Sequence, residues 1–152
     1  WLALGERITG ITIVTARGKD GPAGFLGLSA AHVCADPPTM LVSIDDSTSA
    51  LSAVLEARHF AINVLPASAR HVADIFFGKT ALKGADRFEA GRWDALTTGA
   101  PVFNDALGAF DCTLTATHRV GTTTICIGRV VDLVSKGEGT PLAFFRGQMR
   151  DG

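Results

Sequence analysis

From Phe110 to Thr117 apolar and polar residues alternate without a break: Phe110, Cys112, Leu114 and Ala116 against Asp111, Thr113, Thr115 and Thr117. Successive side chains of a strand point to opposite faces, so a period of two fits a strand with one buried face and does not fit a helix. A lone strand leaves its backbone donors and acceptors without partners, so the rest of the chain must supply neighbours. Ile125 to Val134 reads as one of them, following a turn at Gly121.

Other segments read the same way. Ile8 to Ala16, rich in Ile, Thr and Val, and Ala23 to Ser29 predict a hairpin across the turn residues Asp20-Gly21-Pro22. Asp36-Pro37-Pro38 removes two backbone donors and fixes two φ angles, so regular structure breaks there before Thr39 to Asp45 resumes as a strand. Phe60 to Leu65 reads as a short buried strand and Pro141 to Phe145 as the last one. Two helices are expected. Ser47, Thr48 and Ser49 precede Leu51, Val54 and Leu55, whose spacing predicts a helix of about three turns. After Pro66 and Ser68 a second helix turns Val72, Ile75 and Phe76 inward and stops at Gly78. Residues 79 to 105 carry no sustained period and predict a long connection with at most a turn of helix.

Strands joined by short turns, with only two helices, predict a mainly β architecture: a small antiparallel barrel with flanking helices. With 152 residues, 47% hydrophobic, the chain suits one core and a single domain over 1–152. So high an apolar content in so short a chain also predicts a homodimer that covers part of the surface.

The formal net charge of −1, with acids and bases interspersed, offers no basic face for nucleic acid. Cys34, Cys112 and Cys126 are odd in number and lack a CxxC pattern, which fits a reducing, cytoplasmic setting and suggests neither disulfides nor zinc. Apolar runs fall far short of the roughly 20 residues that span a bilayer, so no membrane role is expected. No Walker loop, GxSxG, HExxH or GxGxxG is present, and four scattered histidines suggest no metal site. One segment carries a mechanism: the hydroxyls and free amides of Ser47 to Ser49 sit at a helix start. Capping is the commoner use of such a segment; binding an anion such as phosphate is the other.

Several stretches taken together resemble the short-chain flavin reductases, the small NAD(P)H-dependent components that deliver reduced flavin to two-component monooxygenases. They are Gly10-Ile11-Thr12-Ile13-Val14-Thr15, Gly24-Phe25, Asp36-Pro37-Pro38 with Leu41-Val42-Ser43-Ile44, Phe60-Ala61-Ile62-Asn63-Val64-Leu65, Asp86-Arg87-Phe88, Gly99-Ala100-Pro101, Ala109-Phe110-Asp111-Cys112 and Phe145-Arg146-Gly147. They keep the family's order over roughly nine-tenths of the chain.

The resemblance implies a flavin reductase-like, FMN-binding split β-barrel, with FMN or FAD as flavin and NADH or NADPH as co-substrate. It implies that the flavin ring lies against Leu26, Gly27, Leu28, Ser29, Ala30 and Ala31, and that Asp45, Ser47, Thr48 and Ser49 surround its phosphate. Phe77 and Lys79 are implied as a further contact and charge, Lys79 being equally readable as a solvated loop lysine. On the nicotinamide side it implies His118, Phe145 and Thr123, the last within Gly121-Thr122-Thr123-Thr124, where the family often reads Gly-Asp-His. The implied function is an NAD(P)H:flavin oxidoreductase serving a partner monooxygenase; a flavin-binding electron carrier without efficient NAD(P)H turnover is the alternative.

Overall fold

The computed structural model describes residues 2–152. A 3-10 turn at Leu2–Glu6 leads into β1 (Thr9–Gly10), β2 (Thr12–Gly18), β3 (Gly21–Gly27), β4 (Ala31–Ala35) and β5 (Pro38–Asp45). Helix α1 (Ala50–Ala57), β6 (His59–Val64) and helix α2 (Arg70–Phe76) follow. After a 3-10 turn at Gly84–Glu89 come β7 (Trp93–Ala95), β8 (Pro101–Phe103), β9 (Gly108–Val120), β10 (Thr123–Ser135), β11 (Leu142–Phe145) and β12 (Gln148–Asp151).

Seven strands form one antiparallel sheet in the order β3-β2-β6-β9-β10-β5-β4. Its two edges, β3 and β4, are consecutive in the chain and joined only by Leu28, Ser29 and Ala30. Laid flat, six inter-strand spacings would separate those edges by about 29 Å, whereas the chain from Gly27 to Ala31 reaches at most about 14 Å. The sheet therefore curls until its edges nearly meet, leaving a gap bridged by one short link. Ser29 ties that link to the opposite wall: its Oγ donates to the Ser43 carbonyl at 3.1 Å and accepts from the Ser43 amide at 3.3 Å.

Inside the curl lies a core of Val14, Val42, Ile44, Val54, Phe60, Ile62 and Leu114, with the buried thiols of Cys112 and Cys126. Burial pushes those thiols up to about 12 and about 11, so both remain protonated packing groups. Gly128 is required here, because a Cβ would sit 2.7 Å from the Phe60 ring. A second core outside the curl packs Val72, Ile75 and Phe76 of α2 against Ile11, Ile13 and Leu142. Strand β2 serves both, sending Ile13 to one and Val14 to the other, which is why Ile11 to Ala16 is buried throughout and does not alternate. The three-stranded sheet β1-β11-β12 joins the main sheet where Leu65 exchanges backbone hydrogen bonds with Ile11 and Leu142.

Several boundaries differ from the sequence reading. The first hairpin turns at Lys19-Asp20, and Pro22 lies within β3, where an edge strand tolerates a missing donor. Strand β4 has no period to announce it, being five residues long with an irregular register at His32/Cys34. Helix α1 has eight residues, about two turns rather than three; Val54 is buried but Leu55 is 40% exposed. The stretch 79–105 holds a short hairpin, β7 with β8, fixed by Trp93 packing on Phe76, Phe88 and Phe103 rather than by alternation. Strand β12 follows what the sequence suggested was the last strand. No helix among the described residues is long and apolar enough to cross a membrane.

Candidate functional site

The site begins where β3 stops pairing. The Thr12 hydroxyl donates to the Gly27 carbonyl at 2.8 Å, and a Cβ at Gly27 would meet Val14 Cγ2 at 2.9 Å, so the strand ends flush against its neighbour. The next three residues leave the ladder altogether. Among the described residues, no backbone N–H or C=O of Leu28, Ser29 or Ala30 has a backbone partner. Unpaired backbone groups demand water or a ligand, and these border a cavity of about 810 Å³.

Three parts of the fold enclose that cavity. Phe25 to Ala31 form one side, and Ser43, Asp45 and Thr48 form the side made by β5 and the turn into α1. Leu4, Gly5, Arg7 and Ile8 come from the N-terminal turn, with Phe144 of β11 beside them. The volume lies in the upper range of small-molecule pockets, room for a tricyclic ring and a second planar group.

At the turn into α1, Asp45 is held below the usual carboxylate range by the Ser47 hydroxyl first and its amide second, which donate to Oδ1 at 2.7 and 2.9 Å. Asp46 pairs with Arg119 from the end of β9. Ser49 makes no side-chain capping bond, so the reading of these hydroxyls as helix caps does not hold. The amides of Ser49 and Ala50 have no backbone partner among the described residues, and both residues lie outside the cavity lining, next to Thr48.

Of the residues singled out from sequence, Leu26, Gly27, Leu28, Ser29, Ala30, Ala31, Asp45 and Thr48 all border the cavity. Ser47 and Ser49 flank Thr48 without lining it. Phe77 stands behind Phe144, ring centroids 6.4 Å apart, while Lys79 is drawn back by Asp74 at 3.3 Å and lies over the Phe77 ring. His118, Thr123 and Phe145 are not among the lining residues. His118 sits opposite Ile125 on the outer stretch of β9, and Phe145 carries the guanidinium groups of Arg146 and Arg150 over its ring.

Sequence reasoning missed the N-terminal wall. Its placement depends on the β11–β12 turn, where Arg146 donates its amide to Gly5 O at 3.0 Å and grips Glu6 through Nε and Nη2, Nη2 at 2.7 Å. A contact spanning nearly the whole chain leaves no local pattern to read.

Comparison with known proteins gives a consistent picture. The sequence profile of the family described as flavin reductase like domain matches residues 4–152. A protein of Agrobacterium fabrum named FMN reductase (NADH) RutF is 38% identical over 140 residues, covering 92% of this chain and 79% of that protein. Among solved structures, BorF, the flavin reductase component of a bacterial two-component tryptophan halogenase, superposes with a TM-score of 0.89 at 29% identity, covering 98% of this chain and 93% of the other. Nitrilotriacetate monooxygenase component B from Mycobacterium thermoresistibile superposes with a TM-score of 0.88 at 28% identity, covering 97% and 82%.

Proposed function

Since the chain belongs to the flavin reductase like domain family, we propose that it is an NADH-dependent flavin reductase that binds FMN in the cavity between β3 and β4. The observation that carries this reading is the unpaired backbone of Leu28, Ser29 and Ala30 along an apolar cavity. Such an edge suits a flavin, whose pyrimidine ring presents alternating donors and acceptors while the rest of the tricycle is flat and apolar. Leu26, Leu28 and Ala30 supply the apolar contact, and the unpaired amides of Ser49 and Ala50, next to the lining residue Thr48, are the donors proposed for the phosphate.

The chemistry supplied by the bound pair is hydride transfer from nicotinamide C4 to flavin N5. For this the chain's own residues bind, orient and exclude water. Among the described residues, Arg7 and Asp45 are the only ionisable side chains that line the cavity, and Asp45 is kept as a carboxylate by Ser47. The lining thus offers no proton donor near neutrality, which suits a step that needs none from the protein.

The reading extends to the assembly. Leu2 of the N-terminal turn and Ile8 of the cavity lining, 95% and 75% exposed, support a homodimer that covers them. The Ile11–Leu65–Leu142 bonds between the sheets support one domain. Three free cysteines fit a reducing cytoplasm. Relatives that serve a halogenase and a monooxygenase support delivery of reduced flavin to a partner oxygenase.

Anaerobic mixing of the FMN-loaded protein with NADH tests the reading. Loss of the yellow colour within about a second is expected, given turnover near 10 per second for an ordinary enzyme. A protein that binds FMN yet stays yellow is an electron carrier instead.

A further inference from the structure

We propose that Arg7 is a phosphate-binding residue of this cavity, separate from the amides before α1, that recognises a phosphoryl group of one of the two nucleotides. The inference rests on the flavin reductase reading and adds to it a residue from the N-terminal wall.

Arg7 lines the cavity and has no hydrogen-bonded or ion-paired side-chain partner among the described residues. Neither Glu6 nor Asp45 forms an ion pair with it, although Asp45 keeps its charge in the same lining. Glu6, its neighbour in sequence, is held by Arg146 through both oxygens, and the Asp45 carboxylate accepts both donors of Ser47. Arg7 is an exposed lining residue, so solvent screens part of its field and the remainder reaches into the cavity.

The wall that carries it is also held in place. The Arg7 amide closes the N-terminal turn on Leu4 O at 3.1 Å, and Arg146 anchors that turn at Gly5 O. Arg146 does so from a left-handed conformation, φ 49, followed by Gly147 at φ 77, the two-residue turn that aims its amide and guanidinium at the same segment. A fixed backbone lowers the ordering cost when the guanidinium engages a ligand. Five donors in a planar fork match phosphate oxygens, so the group selected is a phosphate ester or pyrophosphate rather than an uncharged ring.

The test pairs each nucleotide with a phosphate-free counterpart. Dissociation constants of FMN and riboflavin, and of NADH and N-benzyl-1,4-dihydronicotinamide, are measured by fluorescence for the parent protein, Arg7→Gln and Arg7→Lys. Arg7→Gln is expected to weaken FMN or NADH by about five- to tenfold while leaving its phosphate-free counterpart unchanged, with Arg7→Lys recovering part of the loss. Weakening of FMN assigns the residue to the flavin phosphate; weakening of NADH assigns it to the dinucleotide pyrophosphate. Unchanged affinities, or equal weakening with and without phosphate, overturn the proposal. A parent protein that binds no flavin and no nicotinamide overturns the flavin reductase reading instead, a distinct result.

Discussion

The substitution Ala31→Trp is expected to raise the FMN dissociation constant by roughly a hundredfold, a loss of about 2.7 kcal/mol, with little change in stability. Ala31 opens β4, borders the cavity and is exposed, so an indole there displaces no buried neighbour but competes for the space beside Leu28 to Ala30. Exposed substitutions of this kind usually shift stability by less than about 0.5 kcal/mol. Ala35→Trp is the control, because Ala35 is exposed on the same strand but does not line the cavity. Titration of both variants with FMN by flavin fluorescence separates the cases. Equal affinity for the two would place the flavin elsewhere.

Asn63→Ala is expected to remove about 3–5 kcal/mol of stability, a large part of the roughly 5–15 kcal/mol that holds an ordinary domain. Asn63 is fully buried, and its amide joins three parts of the chain. Nδ2 donates to Ile13 O at 3.0 Å and Pro101 O at 3.4 Å, and Oδ1 accepts from the Phe103 amide at 2.8 Å. Truncation leaves the Phe103 amide without its acceptor and Ile13 O without its side-chain donor in a buried site, while Pro101 O keeps the Thr15 hydroxyl, at about 1–3 kcal/mol for each unsatisfied group. Urea unfolding followed by tryptophan emission measures the loss, and a change below about 1 kcal/mol would show that the network relaxes around the gap.

The same network explains which parts of the fold could be read from sequence. Four of the stretches that carry the family resemblance meet around it. Thr98, just before Gly99-Ala100-Pro101, donates to Asp111 through amide and hydroxyl at 2.8 and 2.5 Å, while Asn63 and Thr15 hold Pro101 O. These motifs are legible because buried polar groups demand particular partners, and what they encode is sheet geometry, not chemistry. Strand β9 was equally plain from its alternation, and α2 from the spacing of Val72, Ile75 and Phe76.

Where long-range packing decides the structure, the residues say less. Leu55 points outward because the two-turn α1 meets the core through Val54, with Leu51 and Ala53 packed beside it. The β7–β8 hairpin owes its existence to the aromatic stack around Trp93, which has no sequence period. The cavity side formed by residues 26 to 31 was found through the resemblance rather than from side-chain chemistry, since its polar groups are backbone atoms that any residue provides. Arg7 was missed because its place depends on Arg146, far away in sequence.

The central claim is that the split in the sheet is a flavin site built from unpaired backbone. A crystal structure of the protein grown with FMN tests it most directly. The claim predicts the pyrimidine edge of the ring within about 3 Å of the backbone atoms of Leu28, Ser29 or Ala30. A flavin bound away from the β3–β4 link, with those groups still facing solvent, would contradict it.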